Sequence, residues 1–252
     1  MDTALPAPRR RLIAHTWFDL TAFLRRPDPA PAAALSTSAK IGSTVAVLLF
    51  KLAAVSLLAL IAGVLDIDPQ NVSADRLQRL YSPLGLLLVG AVILPLLEET
   101  GFRLALRFKP IYLALAIGVF AYYLMSKAVF QARISDVETA FGWRLGVALA
   151  CAGASFALLS RARVAAALQR LWARRFGLVF HASALLFAAI HAFNYVLTPL
   201  TVLLLPLILS PQLLSGLCYG YIRVRYGFVY SYGFHALSNA LALGLALLAP
   251  GD

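Results

Sequence analysis

The chain has 252 residues, of which 61% are hydrophobic and 13% are charged, and its mean hydropathy is +0.82. This composition excludes a soluble domain of that size. The net charge of +11 would suit a nucleic-acid-binding protein, but the basic residues are spread between apolar stretches instead of forming one patch. Cys151 and Cys218 fall in different apolar stretches, which argues against a disulfide framework and against a CxxC metal site.

Residues 1–40 differ from a signal peptide, because the arginines at 9–11 are not followed directly by a short apolar core and a small-residue cleavage site. The stretch "RLIAHTWFDLTAFLRR" predicts an amphipathic helix lying on the membrane surface. Four apolar side chains share one face of that helix: Ile13, Trp17, Leu20 and Leu24. The stretch "PDPAPAAALSTS" then predicts a linker. We therefore expect a cytoplasmic N-terminal segment at 1–40, followed by a transmembrane domain at 41–252.

Seven stretches are long and apolar enough to cross a bilayer, whose core is about 30 Å thick and requires roughly 20 apolar residues per helix. They predict an all-α, polytopic transmembrane helix bundle with the N-terminal surface helix beside it. The predicted spans, numbered one to seven, are 41–65, 83–107, 111–127, 144–160, 178–197, 199–221 and 228–249.

The segments between the spans alternate between basic and non-basic. The basic ones are 1–40, 107–109, 161–177 and 223–225, and the others are 66–82, 128–143, 197–199 and the C-terminus at Asp252. Cytoplasmic loops carry the excess of Lys and Arg, so we expect the N-terminus in the cytoplasm and the C-terminus outside. The positive charge then indicates membrane lipid, and not nucleic acid, as a partner. Lys51, inside span one, either snorkels to the interface or faces the bundle.

Span two carries Glu98, Glu99 and Arg103 into the membrane, where each charge costs at least about 2.5–3.5 kcal/mol and requires a partner or a function. Glu99 and Arg103 lie one helical turn apart and can pair. Glu98 lies about 100° around the helix from Glu99 and can point elsewhere in the bundle. The structural alternative is an internal ion pair followed by a helix end, with no catalytic function.

Two histidines lie in otherwise apolar spans. His191 follows Phe187 by one turn in span five, and His235 precedes Asn239 by one turn in span seven. A lone histidine in a helix is more often a hydrogen-bonded core residue than a catalyst, but two of them beside a span with two acids favour a site. Glu98 and His235 lie roughly 10–15 Å from the cytoplasmic ends of their spans, and His191 lies somewhat deeper. All of them can meet in the cytoplasmic half of the bundle.

A carboxylate and a histidine beside a water molecule form a general base, and a second histidine with an amide can stabilise an oxyanion. These groups suffice for amide hydrolysis without a covalent nucleophile. An HExxH zinc site is missing, every Asp lies in a loop or terminus, and Ser215 lacks the preceding glycine of the rhomboid GxSG motif. A zinc site built from Glu98, His191 and His235 is left open.

Three short motifs occur in the same order as in a known family. "EETGFR" matches EExxxR, "FAAIH" matches FxxxH and "HALSN" matches HxxxN. On these motifs the chain resembles the CPBP family, the CAAX-protease and bacteriocin-processing group of intramembrane glutamic endopeptidases. The resemblance covers mainly spans two, five, six and seven. It implies a protease without a cofactor that cleaves membrane-anchored peptides or proteins. Because members in bacteria are often processing proteases or immunity proteins, we expect the bacterial inner membrane as its location.

The resemblance also implies the roles of individual residues. Glu98 would activate a water molecule with help from His191. His235 and Asn239 would stabilise the oxyanion.

Three more residues would support the site. The resemblance implies that Glu99 and Arg103 hold its geometry and that Phe187 packs beneath it. The chain departs from the family pattern at Leu104, where a glycine commonly follows the motif arginine. It also carries inserted helices at about 111–177 between the first and second motifs; two extra crossings preserve the direction of every later span. The arginine-rich stretch 161–177 within this insertion predicts a solvated amphipathic helix, with docking of lipid or of an acidic substrate segment as the alternative.

Two other functions are compatible with the sequence. One is a non-catalytic binding or immunity protein of the same fold. The other is a proton-coupled transporter, in which buried acids and histidines would relay protons; the lack of a visible internal repeat counts against it.

Overall fold

The protein is a bundle of membrane-spanning helices. The structure, a computed structural model, describes residues 9–32, 35–67 and 69–248, and within these ranges it contains helices and no β-strand. The seven long apolar helices are Thr37–Val64, Pro83–Leu106, Pro110–Val129, Phe141–Leu159, Phe176–Asn194, Pro199–Arg225 and Phe228–Leu248. The predicted all-α, polytopic bundle of an integral membrane protein is therefore confirmed. Residues 1–8, Asp68 and the predicted C-terminal end with Asp252 lie outside the described residues.

Three shorter helices lie between or before the spans. They are the N-terminal helix Arg9–Arg25, the helix Val72–Leu80 and the arginine-rich helix Ala162–Arg174. The largest differences from the predicted boundaries are four residues each: span one begins at Thr37 instead of 41, and span six continues to Arg225 instead of ending at 221. The last turns of span six remain helical because their apolar side chains are buried, and Arg223 is buried with them. Arg223 is thus part of the helix and not a loop charge.

Span two is not a uniform α-helix. Its α-helical turns are interrupted by two π-helical segments, and it ends in a 3₁₀ turn. In order the pieces are Pro83–Leu87 (α), Leu88–Ile93 (π), Leu94–Glu98 (α), Glu99–Arg103 (π) and Leu104–Leu106 (3₁₀). Pro95 has no N–H to donate to the preceding turn, which explains a local departure from α-helical bonding. Glu98 and Glu99 therefore lie at an α-to-π junction, the kind of irregularity that often marks a functional site.

Span six is the centre of the bundle. It packs against spans one, five and seven, and span seven packs in turn against span two. Five of its side chains have almost no accessible surface: Cys218, Tyr219, Tyr221, Ile222 and Val224. Gly220 permits the close approach of span five, since a Cβ atom there would lie 2.7 Å from Cε2 of Phe180. The core thus places the last turns of span six against the end of span two and the first turns of span five.

The N-terminal helix packs on the bundle by a different face from the predicted one. Thr16, Leu20 and Phe23 are buried, and Oγ1 of Thr16 donates a hydrogen bond of 2.9 Å to Oγ of Ser43 in span one. Trp17 remains exposed to a large extent. The predicted apolar face is thus split, because Leu20 belongs to the stripe that contacts protein. That the remaining exposed face lies on a membrane stays a prediction.

Contacts near the ends of the spans group the connecting segments into two sets, one at each end of the bundle. At one end, here called the basic end, the N-terminal helix contacts the end of span six, and the helix after span four contacts the end of span two. These contacts include Asp19 with Arg225 and Ala105 with Trp172. At the opposite end, Val196 N–H donates to the carbonyl of Gln70. The connecting segments therefore alternate between the two ends of the bundle, as predicted. Which side of the membrane each end faces stays a prediction.

Candidate active site

His235 lies between the two adjacent glutamates of span two. Its Nδ1 is 3.0 Å from Oε1 of Glu99, and its Nε2 is 3.5 Å from Oε2 of Glu98. The imidazole is buried in span seven. Because a carboxylate only accepts, the hydrogen facing Glu99 is carried by Nδ1. Nε2 then faces Glu98; in the neutral ring it can accept only from a water molecule or a protonated Glu98, and in the imidazolium it can donate to the carboxylate.

Glu99 is the fully buried member of the acid pair. Its second oxygen accepts a short hydrogen bond from Oγ of Ser231. Its first oxygen faces His235 and also lies 3.7 Å from Nη1 of Arg103, so the predicted ion pair is present. Both oxygens are engaged by the protein. Glu99 is therefore suited to fixing the imidazole and the guanidinium in place and not to binding a water molecule.

Glu98 has a freer carboxylate than Glu99. Its side chain keeps 15% of its surface exposed, and the imidazole of His235 is its one described polar partner, at 3.5 Å. That distance is too long for a strong hydrogen bond. Glu98 thus has lone pairs available for a water molecule beside His235, as the predicted role requires.

Arg103 is buried against aromatic rings. Its guanidinium carbon lies 3.7 Å from the centre of the Phe187 ring. Its three guanidinium nitrogens have no hydrogen-bond partner among the described residues. The charge is balanced by Glu99 and by the electron-rich face of the ring, an interaction worth about 2 kcal/mol when desolvated. Phe187 therefore supports the site through Arg103.

His191 is connected to the site through Phe187 and not by a direct contact. Its Nδ1–H donates a hydrogen bond of 2.7 Å to the carbonyl of Phe187. The Phe187 ring lies 4.7 Å from the ring of His191 and 5.9 Å from that of His235. No hydrogen bond or ion pair within the described part of the chain joins His191 to Glu98. The Nε2 atom of His191 consequently keeps a free lone pair in the neutral ring.

Asn239 anchors span seven to span two. Its Nδ2 donates a hydrogen bond of 2.9 Å to the carbonyl of Gly90, which lies in the first π-helical segment, Leu88–Ile93. The second N–H of the amide and its Oδ1 are not used in this contact. Asn239 thus lies one turn from His235, as the motif predicts, with one of its two N–H donors already used.

Sequence reasoning missed Tyr219 as a site residue. Its ring stacks on the imidazole of His235, with 4.2 Å between the ring centres and 23° between the planes. Its hydroxyl accepts a hydrogen bond of 3.2 Å from Nζ of Lys51. For Lys51 the sequence left two alternatives, snorkelling to the interface or facing the bundle. The side chain is buried, so it faces the bundle. The charge of Lys51 inside span one was the one sequence signal that pointed to a buried polar contact here. A tyrosine in an apolar helix gives no such signal.

The end of span two is capped by side chains from three other elements. Four consecutive carbonyls accept hydrogen bonds from outside the helix. Ser183 donates to Phe102 at 2.5 Å, Arg223 to Arg103 at 3.1 Å and to Leu104 at 3.0 Å, and Trp172 to Ala105 at 2.9 Å. Carbonyls at a helix end lack partners within the helix. These bonds hold the segment that carries both glutamates in a fixed position.

The zinc alternative requires three converging ligands. Among the residues that the structure describes, no group of three or more His, Cys, Asp or Glu side chains is arranged to hold a metal ion. Glu98 and His235 are close to each other, but His191 is directed to the carbonyl of Phe187. In this conformation the three residues do not form a ligand set.

Comparisons with protein-family models, with curated proteins and with solved structures find no match for this chain. The resemblance to the CPBP family therefore rests on the three motifs.

Proposed function

We propose that the protein is an intramembrane endopeptidase that hydrolyses a membrane-anchored peptide or protein with a water molecule activated by Glu98. The arrangement of His235 between Glu98 and Glu99 is the observation that supports it most. Both oxygens of Glu99 are occupied by contacts with the protein. Glu98 lies beside His235 and keeps part of its surface exposed. A purely structural ion pair between Glu99 and Arg103 gives no reason for Glu98 to be present.

In the proposed mechanism, Glu98 removes a proton from a water molecule, and the oxygen of that water attacks the carbonyl carbon of the scissile peptide bond. Glu98 then delivers the proton to the leaving amine as the carbon–nitrogen bond breaks. Nε2–H of the His235 imidazolium donates to the oxyanion, and Glu99 stabilises that imidazolium from the other side of the ring. His191 assists with its free Nε2, and the unused N–H of Asn239 provides the second oxyanion donor.

A second candidate is a non-catalytic membrane binding protein of the same fold. The hydrogen bond from Asn239 to Gly90 favours it, because a side chain that ties two spans together has a structural reason to be present. This alternative gives no role to the exposed part of Glu98.

The test is peptide cleavage by protein reconstituted in liposomes, with a library of membrane-anchored peptides read by mass spectrometry. The chain has three glutamates, so Glu138→Gln in an exposed loop is a matched control for Glu98→Gln. We expect Glu98→Gln to lower the cleavage rate by about 10²–10⁴-fold, the usual contribution of a general base. Glu138→Gln should cleave like the unmodified protein.

His181 provides a second matched control, because its Nδ1 bonds the carbonyl of Gly177 in the same way that His191 bonds Phe187. His191→Ala should lower the rate, and His181→Ala should not. Cleavage that is lost with a chelator and restored by zinc would replace the proposed water activation by a metal site. Cleavage that survives in Glu98→Gln would contradict the proposal, and peptide binding without cleavage by every variant would favour the binding protein.

A further inference from the structure

The arginine-rich helix Ala162–Arg174 is an exposed cationic element at the basic end. Together with its flanking residues it has five arginines and no acidic residue. All five are exposed, and none of their side chains has a hydrogen bond or ion pair within the described part of the protein: Arg161, Arg163, Arg170, Arg174 and Arg175. The two acids described at this end, Asp19 and Asp28, bind Arg225 instead. The charge of the helix is therefore not neutralised by the protein.

The arginines form a row beside an apolar stripe. At 100° per residue, Arg163, Arg170 and Arg174 lie within about 40° of one another around the helix axis. The stripe next to this row consists of Val164, Leu168, Leu171 and Trp172. The bundle covers this stripe only in part: Val164, Leu168 and Trp172 are half-buried, no residue of the helix is fully buried, and Leu171 keeps 49% of its surface exposed. An apolar stripe bordered by arginines is the pattern of a helix lying in a membrane interface.

Trp172 fixes the position of this helix relative to the membrane spans. Its Nε1–H donates to the carbonyl of Ala105, and its ring lies 5.4 Å from that of Phe108, just beyond the end of span two. The helix also connects span four, which ends at Leu159, to span five, which begins at Phe176. It therefore lies where the apolar spans end, which is where a membrane-spanning bundle meets lipid headgroups.

We propose that the arginine-rich helix is a binding surface for anionic phospholipids, with Arg163, Arg170 and Arg174 on the headgroup phosphates and Leu171 among the acyl chains. Arginine binds phosphate through paired, charge-assisted hydrogen bonds. A lipid suits both the charged row and the apolar stripe, whereas a soluble acidic peptide would satisfy only the arginines. The proposal concerns lipid binding and does not depend on whether the protein cleaves peptides.

The test uses the native tryptophans as reporters of their lipid neighbours. Trp17→Phe with Trp143→Phe leaves Trp172 as the only tryptophan, and Trp17→Phe with Trp172→Phe leaves Trp143, which is 74% exposed at the opposite end. Each protein is placed in nanodiscs that contain brominated phosphatidylglycerol in phosphatidylcholine, or the reverse labelling. We expect brominated phosphatidylglycerol to quench Trp172 more than brominated phosphatidylcholine does, and the two lipids to quench Trp143 equally.

Charge variants identify the responsible residues. Replacing Arg163, Arg170 and Arg174 by Gln should remove the preference at Trp172, with a loss of up to about fivefold in relative lipid affinity per arginine. Replacing the same three residues by Lys should retain most of it, and 1 M salt should weaken it by screening. Replacing the three arginines at 9–11 by Gln removes the same charge from the chain and should leave the preference intact.

Three outcomes would overturn the proposal. Equal quenching of Trp172 by both lipids would show that no anionic lipid is enriched at the helix. If replacing the arginines at 9–11 removed the lipid preference as fully as replacing Arg163, Arg170 and Arg174, the preference would depend on total charge and not on this helix. A Trp172 signal that responds to soluble polyglutamate and not to phosphatidylglycerol would identify an acidic peptide as the partner.

Discussion

Oε1 of Glu99 lies 3.0 Å from Nδ1 of His235, although the two residues are separated by 136 positions in the chain. This contact joins span two to span seven inside the bundle. It also fixes the ring so that Nε2 faces Glu98. The adjacent acids are thus divided between a structural function and a proposed chemical one, and the two functions can be separated by experiment.

Glu99→Gln should destabilise the protein far more than Glu98→Gln. Breaking a buried ion pair by removing one partner costs about 3–5 kcal/mol, and Glu99 is the carboxylate closest to the guanidinium of Arg103. Glu98 is partly exposed and has one long contact, so its neutralisation should change the free energy of unfolding by less than about 1 kcal/mol. Equilibrium unfolding in mixed SDS micelles measures both values, with Glu138→Gln as the control. Equal losses in Glu98→Gln and Glu99→Gln would contradict this division.

Tyr219 and Lys51 should be energetically coupled. Tyr219→Phe keeps the stacked ring but removes the hydroxyl that accepts from Lys51. The lysine is then left buried without this acceptor, which costs about 1–3 kcal/mol. In the Lys51→Met background the same replacement should cost little, so a double-mutant cycle of unfolding free energies should give a coupling of that size.

Lys40 and Tyr230 form the matched control for this cycle. Nζ of Lys40 lies 5.8 Å from the centre of the Tyr230 ring, and a phenylalanine ring preserves that contact. The coupling measured with Tyr230→Phe and Lys40→Met should be close to zero. A similar coupling in both cycles would mean that the Tyr219 hydroxyl has no special function.

The sequence predicts the spans well because membrane insertion depends on length and apolarity, which a single chain displays directly. Helical spacing also predicts the pair Glu99–Arg103 correctly. The same spacing suggested that Glu98 and Glu99 point to different partners. In the structure both reach one residue, because an imidazole has nitrogen atoms on two sides of its ring. The two acids therefore share His235 in spite of their different directions.

Other features leave no pattern in the sequence. The second π-helical segment of span two, Glu99–Arg103, contains no proline and depends on hydrogen bonds between backbone atoms. The stacking of Tyr219 on His235 depends on the packing of span six against span seven. The hydrogen bond from Asn239 to Gly90 likewise uses a backbone carbonyl, which every residue possesses. The face by which the N-terminal helix packs could not be predicted, because its apolar residues suit both lipid and protein.

Arg223 should be more important for the end of span two than its charge alone suggests. Its Nε and Nη2 donate to two adjacent carbonyls, those of Arg103 and Leu104. A lysine has the same charge but cannot present two donors in a fixed fork. Arg223→Lys should therefore lower the free energy of unfolding by about 2–3 kcal/mol. It should also speed hydrogen–deuterium exchange in the last turns of span two, whereas Arg25→Lys, on an exposed side chain, should do neither. Unchanged exchange in Arg223→Lys would show that the caps do not hold this segment.

Spans three and four should stabilise the segment that carries the glutamates. Span three contacts the π-helical turn Glu99–Arg103, where the rings of Phe102 and Phe120 lie 5.0 Å apart. Span three is packed in turn on span four through Gly118: a Cβ atom there would lie 2.9 Å from Cβ of Ala152 and 3.1 Å from the carbonyl oxygen of Ala148. Small residues at such positions allow membrane helices to approach closely.

Gly118→Ala and Gly153→Ala should consequently have opposite effects. A Cβ atom at Gly153 would have no neighbour within 4 Å among the described residues, so the added methyl group only reduces the freedom of the unfolded chain and should stabilise by up to about 1 kcal/mol. The methyl group at Gly118 must displace backbone of span four and should destabilise by about 1–3 kcal/mol. Unfolding in mixed SDS micelles measures both changes, and cleavage by the folded Gly118→Ala protein tests whether the disturbance reaches Glu98. Equal stability of the two variants would mean that spans three and four do not pack through Gly118.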